Sequence, residues 1–211
     1  QEDYGEATAR TAVVVAVLLP TGFFLFAPFP NALSLMLILL AYQAARRNQF
    51  LLASLLGIAT GLTHGTGIPL ALLLANETIR ALRQPKKNLL HWGILALPIT
   101  PLMGTAVFMA WRYAQGLPSY ALIQETLWVR GLQWPWVSLM RVPNSLLIPI
   151  RQFSGWADFL LFGLTIAVIV WGWKRLKWEQ WAFLIAALVL MFSAPDHIAP
   201  LVGYGRYILI M

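Results

Sequence analysis

The sequence predicts an all-α fold, a polytopic bundle of transmembrane helices with one long, aromatic-rich outer loop. Three observations carry this. Hydrophobic residues make up 59% of the chain, charged residues 11%, and the mean hydropathy is +0.69, a balance foreign to soluble domains. The apolar runs are long: Thr11 to Ala45 holds no charged residue, and Asn88 to Trp111 alone suffices to cross a hydrocarbon core of roughly 30 Å. Basic residues then cluster at every second break between the runs, at Arg46-Arg47, Arg80 to Lys87 and Lys174 to Lys177. The intervening breaks at Pro28 to Asn31, Thr63 to Thr66 and Ser193 to His197 carry almost no basic charge. Such alternation sorts loops by membrane side, with the basic side cytoplasmic.

In chain order the spacing predicts eight spans, at about 11–28, 31–46, 49–64, 66–83, 89–111, 157–173, 178–194 and 199–211. Unbroken apolar runs are read as helices because hydrocarbon offers the backbone no external hydrogen-bond partner. The second and third are short. Pro20, Pro69, Pro98 and Pro101 fall inside spans and predict kinks. With the basic breaks inside, residues 1–10 are cytoplasmic too, and 28–31, 63–66, 111–156 and 194–199 lie outside. The chain reads as a single transmembrane domain over 1–211, with residues 112–156 as its outer loop. That loop carries Tyr113, Tyr120, Trp128, Trp134, Trp136 and Trp156, rings suited to the headgroup layer. Within it, Ser119 to Arg130 predicts an interfacial helix with Tyr120, Ile123 and Leu127 on one face; a loop merely anchored by its aromatics is the alternative.

A net charge of +7 would suggest nucleic acid in a soluble protein. Here the basic residues sit mostly at one set of helix ends, which points to membrane lipids as partners and away from nucleic acid. With no cysteine there is no disulfide framework or thiolate chemistry. No signal-peptide pattern precedes the first span, and the sequence stops within an apolar run, so both ends are expected to be cuts through a longer protein. The spans hold few ionisable groups, which disfavours an ion-coupled carrier. Glu77 is expected to pair with Arg80 one helical turn on.

The outer side is richer in polar groups: Asn31, His64, Arg112, Gln124, Glu125, Arg130, Arg141, Arg151, Asp158, Asp196, His197 and Arg206. Arginines facing one compartment suit a lipid-linked phosphate, which guanidinium groups hold by charge-assisted hydrogen bonds. Headgroup contacts for Arg141 and Arg151, and a helix cap for Asp196, are the structural alternatives. His64 and His197 match no metal-ligand spacing, so no metal and no cofactor is expected. Thr63-His64-Gly65-Thr66-Gly67 reads as a tight turn and lacks the lysine of a phosphate loop.

Several stretches resemble, in order, the GPI mannosyltransferase II family and its bacterial membrane relatives, within the GT-C superfamily of polyprenyl-phosphate-sugar-dependent glycosyltransferases. Leu19 to Leu33, with Pro20, Phe23-Phe24 and Asn31, is similar to the family's aromatic helix leading into an outer turn. Gly57 and Ala59 leading into Gly61 to Gly67 resembles a helix ending in a Thr-Arg-containing turn. Gln124 to Arg130 with Trp128 looks like an outer-loop Gln, Trp and Arg arrangement, and Gly205-Arg206-Tyr207 like the Arg-Tyr opening of a late helix. Two positions depart from the pattern: Asn31 replaces the usual Glu, and His64-Gly65 the usual Arg-containing pair.

The resemblance implies a GT-C glycosyltransferase, embedded in the bacterial plasma membrane or, in a eukaryote, the ER membrane. It would move a hexose, with mannose the expected sugar, from a polyprenyl-phosphate donor to an acceptor at the outer face. By the same resemblance Arg206 and Tyr207 would hold the donor phosphate, Gln124, Trp128 and Arg130 the sugar or acceptor, and Asn31 and His64 the cavity mouth. The catalytic acid would lie upstream of Gln1. A non-catalytic relative that binds lipid-linked sugar, and a transporter or flippase for an isoprenoid-linked substrate, remain the alternatives.

Overall fold

The computed structural model describes residues 5–18, 22–26, 30–63, 67–83, 91–143, 152–194, 200, 201 and 204. Among them the regular elements are helical. In order they are α1 (Glu6–Leu18), α2 (Phe23–Phe26), α3 (Asn31–Arg46), α4 (Phe50–Thr63), α5 (Gly67–Leu82), α6 (His91–Ala96), α7 (Thr100–Ala114), α8 (Tyr120–Trp128), α9 (Pro135–Met140), α10 (Gln152–Gly172) and α11 (Trp178–Ser193).

The helices α3, α4, α5 and α11 begin and end within a residue of the corresponding sequence-predicted segments. Elsewhere the structure corrects the boundaries. Within the predicted run 11–28 the described helices are α1 and α2, and α1 begins earlier, at Glu6, where Arg10 pairs with Glu6 across one turn. The run 89–111 is broken by a 3-10 segment at Leu97–Ile99, where Pro98 and Pro101 lack the N–H groups that would continue the α-helical ladder. The helix α10 starts at Gln152, five residues before its expected start. The predicted span 199–211 lies almost wholly outside the described residues.

Among the described residues one helical stretch, Ile94–Ala114, which runs from α6 through the 3-10 segment into α7, is long and apolar enough to cross a membrane, while Phe50–Thr63, Trp156–Gly172 and Trp178–Ser193 are apolar but shorter. At about 1.5 Å per residue, a helix such as α4 rises roughly 21 Å, less than the roughly 30 Å of a hydrocarbon core.

The main core forms between α3, α4, α5, the 3-10 segment and α11. Ser34, Leu37, Ile38, Ala41, Ala44 and Ala45 fall on one face of α3 at three- and four-residue intervals and are buried. Small side chains there let α4 approach through Ala53. Asn48, left-handed at φ 59°, makes the tight α3–α4 turn, and its N–H donates to the Ala45 carbonyl at 3.0 Å. The pair α4 and α7 packs closest, with Gly57 beside Thr100 and Gly61 beside Gly104, so the two helices run parallel.

These contacts define two ends. At the first, an Arg80 guanidinium nitrogen donates to the Arg46 carbonyl at 2.9 Å, and the Trp178 indole N–H donates to Asn76 Oδ1 at 3.0 Å. The predicted Arg80–Glu77 pair is present there, at 2.6 Å. At the opposite end, the Ser34 hydroxyl meets Thr63 Oγ1 at 3.4 Å, and the C-terminus of α11 receives the long loop. The basic helix ends at Arg46, Arg80 and Lys177 are thus gathered on one side. A second, smaller core joins Val142, Phe192, Leu201 and Tyr204 to Phe159 and Phe162 of α10.

Candidate functional site

The end opposite the basic cluster is where the sequence places the candidate residues. Asn31, the first residue of α3, is only 4% exposed. One turn on, Ser34 is fully buried and donates to Thr63 Oγ1, whose own hydroxyl donates to the Thr60 carbonyl at 2.8 Å. Antiparallel packing of α3 and α4 therefore brings the start of α3, at Asn31, beside the end of α4, at Thr63. His64 itself lies outside the described residues. The groups assembled here are an amide and hydroxyls, which can donate and accept hydrogen bonds but do not titrate near neutral pH. Their chemistry suits binding of a hydroxylated ligand rather than proton transfer.

Gly57 and Gly61, placed by the sequence among the family-like residues, have a packing role. A β-carbon at Gly61 would stand 2.0 Å from the Pro101 carbonyl oxygen, and one at Gly57 2.5 Å from Thr100 Oγ1. Glycines four apart let helix backbones touch, as in small-residue crossings within membranes. Thr105 adds a hydrogen bond from its hydroxyl to the Gly61 carbonyl at 3.3 Å.

The long loop is more ordered than an anchored strap. An Arg112 guanidinium nitrogen donates to the Pro118 carbonyl at 2.7 Å, and Ser119 caps α8 by accepting the Leu122 N–H at 3.2 Å. The predicted helix over Ser119 to Arg130 is thus present as α8, begun by a serine cap. Gln124 is half-buried in α8, and its carbonyl accepts the Arg130 N–H at 2.8 Å. Between Trp128 and Arg130, Val129 adopts a left-handed conformation at φ 52°. A β-branched residue is strained there because its side chain crowds the backbone. This C-cap turns the chain so that Arg130, also half-buried, leaves the helix axis. The Trp128 side chain lies outside what is described. Both Gln124 and Arg130 are thus carried by the turn that ends α8.

Beyond α8 the loop is clasped to α11. The Gln133 N–H donates to the Ser193 carbonyl at 2.9 Å, the Gln133 side-chain amide donates to Ser138 Oγ at 2.8 Å, and Ser138 donates to the Phe192 carbonyl at 2.5 Å. These bonds satisfy carbonyls that a helix C-terminus leaves open. Trp134 and Trp136 stack on each other at 4.8 Å and are exposed. Sequence reasoning missed Ser138 and Gln133, whose partners on α11 are more than fifty residues away.

Arg206 and Tyr207 lie outside the described residues. The chain approaching them is anchored by Tyr204, fully buried and edge-on to Phe162 at 5.6 Å, with Phe162 in turn edge-on to Phe192. Among the described residues no group of three His, Cys, Asp or Glu side chains gathers as a metal site would require. Comparison of the chain with family models, curated proteins and solved structures returned no match.

Proposed function

We propose that this chain is the multi-pass membrane domain of a GT-C-type hexosyltransferase that draws its sugar, a mannose, from a polyprenyl-phosphate donor. The observation that carries the reading is the Ser34–Thr63 contact. It sets the start of α3, at Asn31, beside the end of α4, at Thr63, at the end away from the basic cluster, and these two helix ends adjoin two of the stretches that carry the family resemblance. The membrane setting is supported by α1, in which no residue is buried, and by α10, which exposes Leu160, Val168, Val170 and Trp171 on one broad face. Broad apolar faces turned outward suit a lipid solvent.

In this reading Asn31 and His64 line the mouth, hydrogen-bonding sugar hydroxyls. Gln124, Trp128 and Arg130 meet sugar or acceptor from the loop, and Arg206 with Tyr207 holds the donor phosphate. The test reconstitutes the full-length protein with a radiolabelled polyprenyl-phosphate mannose and a mixture of candidate acceptors. Transfer is expected, and Arg206→Ala is expected to reduce it by about 10- to 100-fold, the loss of one charge-assisted hydrogen bond. Donor binding without transfer would establish the non-catalytic reading instead, and movement of the donor across the bilayer without transfer would establish a flippase. Undiminished transfer by Arg206→Ala would overturn the phosphate assignment.

A further inference from the structure

The corner between α10 and α11 concentrates two kinds of side chain that the proposed reaction leaves unused. Trp171, Trp173 and Trp178 are 71%, 67% and 66% exposed, and Lys174, Arg175 and Lys177 lie between them. The corner is built firmly. The N–H groups of Arg175 and Leu176 both donate to the Gly172 carbonyl, at 2.8 and 3.1 Å, which closes the turn. The Trp178 indole donates to Asn76 of α5, fixing the corner to the basic end of the bundle. Trp173 packs on Trp181 at 4.8 Å, and the Arg175 guanidinium lies 4.6 Å from the centre of the Trp171 ring.

Three indoles exposed to water are unfavourable, yet their N–H edges and the neighbouring cations suit the layer where headgroups meet acyl chains. The long stems of Lys and Arg reach from that layer to charge. Three cations within four residues face one acidic neighbour, the half-buried Glu179, so the surface is complementary to an anion.

We propose that this corner is a binding site for an anionic phospholipid of the basic-side leaflet. Lys174, Arg175 and Lys177 take the headgroup phosphate, while Trp171, Trp173 and Trp178 enter the acyl boundary. Stacking on Trp171 orients the Arg175 guanidinium and lowers the entropy lost when it grips phosphate. The proposal rests on the membrane reading above and is independent of sugar transfer.

The test uses the full chain reconstituted into phosphatidylcholine vesicles containing spin-labelled phosphatidylglycerol or spin-labelled phosphatidylcholine. The protein-restricted fraction of each probe gives the lipid preference by electron spin resonance. Carbonate extraction first establishes insertion. An extractable protein overturns the membrane reading and this site with it. For the inserted protein, a preference for the anionic probe is expected. It should fall at least fivefold in K174Q/R175Q/K177Q, given about 1 kcal/mol for each basic residue near the surface. Trp171→Ala, which keeps all three charges, should lower it by a smaller factor and raise probe mobility. Circular dichroism checks that both variants keep their helix content; a variant that unfolds is replaced by Arg175→Gln alone, expected to lose part of the preference. Equal restriction of the two probes by the unaltered protein, or an unchanged preference in the charge-neutral variant, would overturn the proposal.

Discussion

Gly61 and Gly104 meet backbone to backbone where α4 crosses α7. A β-carbon on either would come within 3.0 Å of the other's α-carbon, and one on Gly104 would stand 2.1 Å from the Ile58 carbonyl oxygen. The obstacle is main chain, which cannot swing aside. Gly61→Ala or Gly104→Ala is therefore expected to destabilise the bundle by about 1–3 kcal/mol, the cost of overpacking a close interface. At Gly57 the nearest atom is a side-chain oxygen, Thr100 Oγ1, which can rotate away. Gly57→Ala should cost less than either. Equilibrium unfolding in mixed detergent and denaturant, followed by circular dichroism, ranks the three; equal losses would contradict the geometry.

The Glu77–Arg80 pair is asymmetric. The Glu77 side chain is 3% exposed and that of Arg80 38% exposed. Removing the arginine takes the ion-pair partner from a buried carboxylate, whereas removing the glutamate leaves a cation with access to the surface. Arg80→Ala is expected to cost about 3 kcal/mol and Glu77→Leu less. In Arg80→Ala/Glu77→Leu most of the loss should return, because no buried charge remains. A double-mutant cycle by the same unfolding measurement gives the coupling, and additive losses would show that the pair is not coupled.

Val129 holds the end of α8 in a conformation that costs a β-branched residue about 1–2 kcal/mol. Val129→Gly is expected to relieve that strain and slow hydrogen exchange at the Arg130 amide, which donates to the Gln124 carbonyl. Faster exchange at that amide would mean that the valine side chain contributes more by packing than it costs in strain.

Ser138 bridges the Gln133 side chain and the Phe192 carbonyl. Ser138→Ala leaves both without that partner and is expected to cost about 1–2 kcal/mol. The loss should be local. Exchange at the Gln133 amide should rise several-fold while amides in α3 and α5 keep their protection, and a uniform rise would indicate global unfolding instead.

Much of the secondary structure was legible because its causes are local. The small-residue face of α3, the serine cap of α8 and the one-turn spacing of Glu77 and Arg80 each involve neighbours within a few residues. The break at Leu97–Ile99 was foreshadowed by Pro98 and Pro101, although a kink rather than a 3-10 segment was expected. The candidate site was less legible. Asn31 and His64 are chosen on separate motifs, and nothing in the sequence spacing says that Ser34, one turn after Asn31, meets Thr63, the residue before His64. Gly57 and Gly61 were read as part of a motif, and their contact with α7 shows a packing reason that a single helix cannot reveal.

By itself the sequence determined which segments are helices and which ends carry basic charge, since hydropathy, proline and charge act on the chain locally. Tertiary structure alone decided that Arg80 reaches the Arg46 carbonyl and Trp178 reaches Asn76, that Ser138 caps α11, and that Gly61 lies against Gly104. Those relationships depend on backbones approaching at distances set by side-chain volume, and volume is tested only when two helices meet.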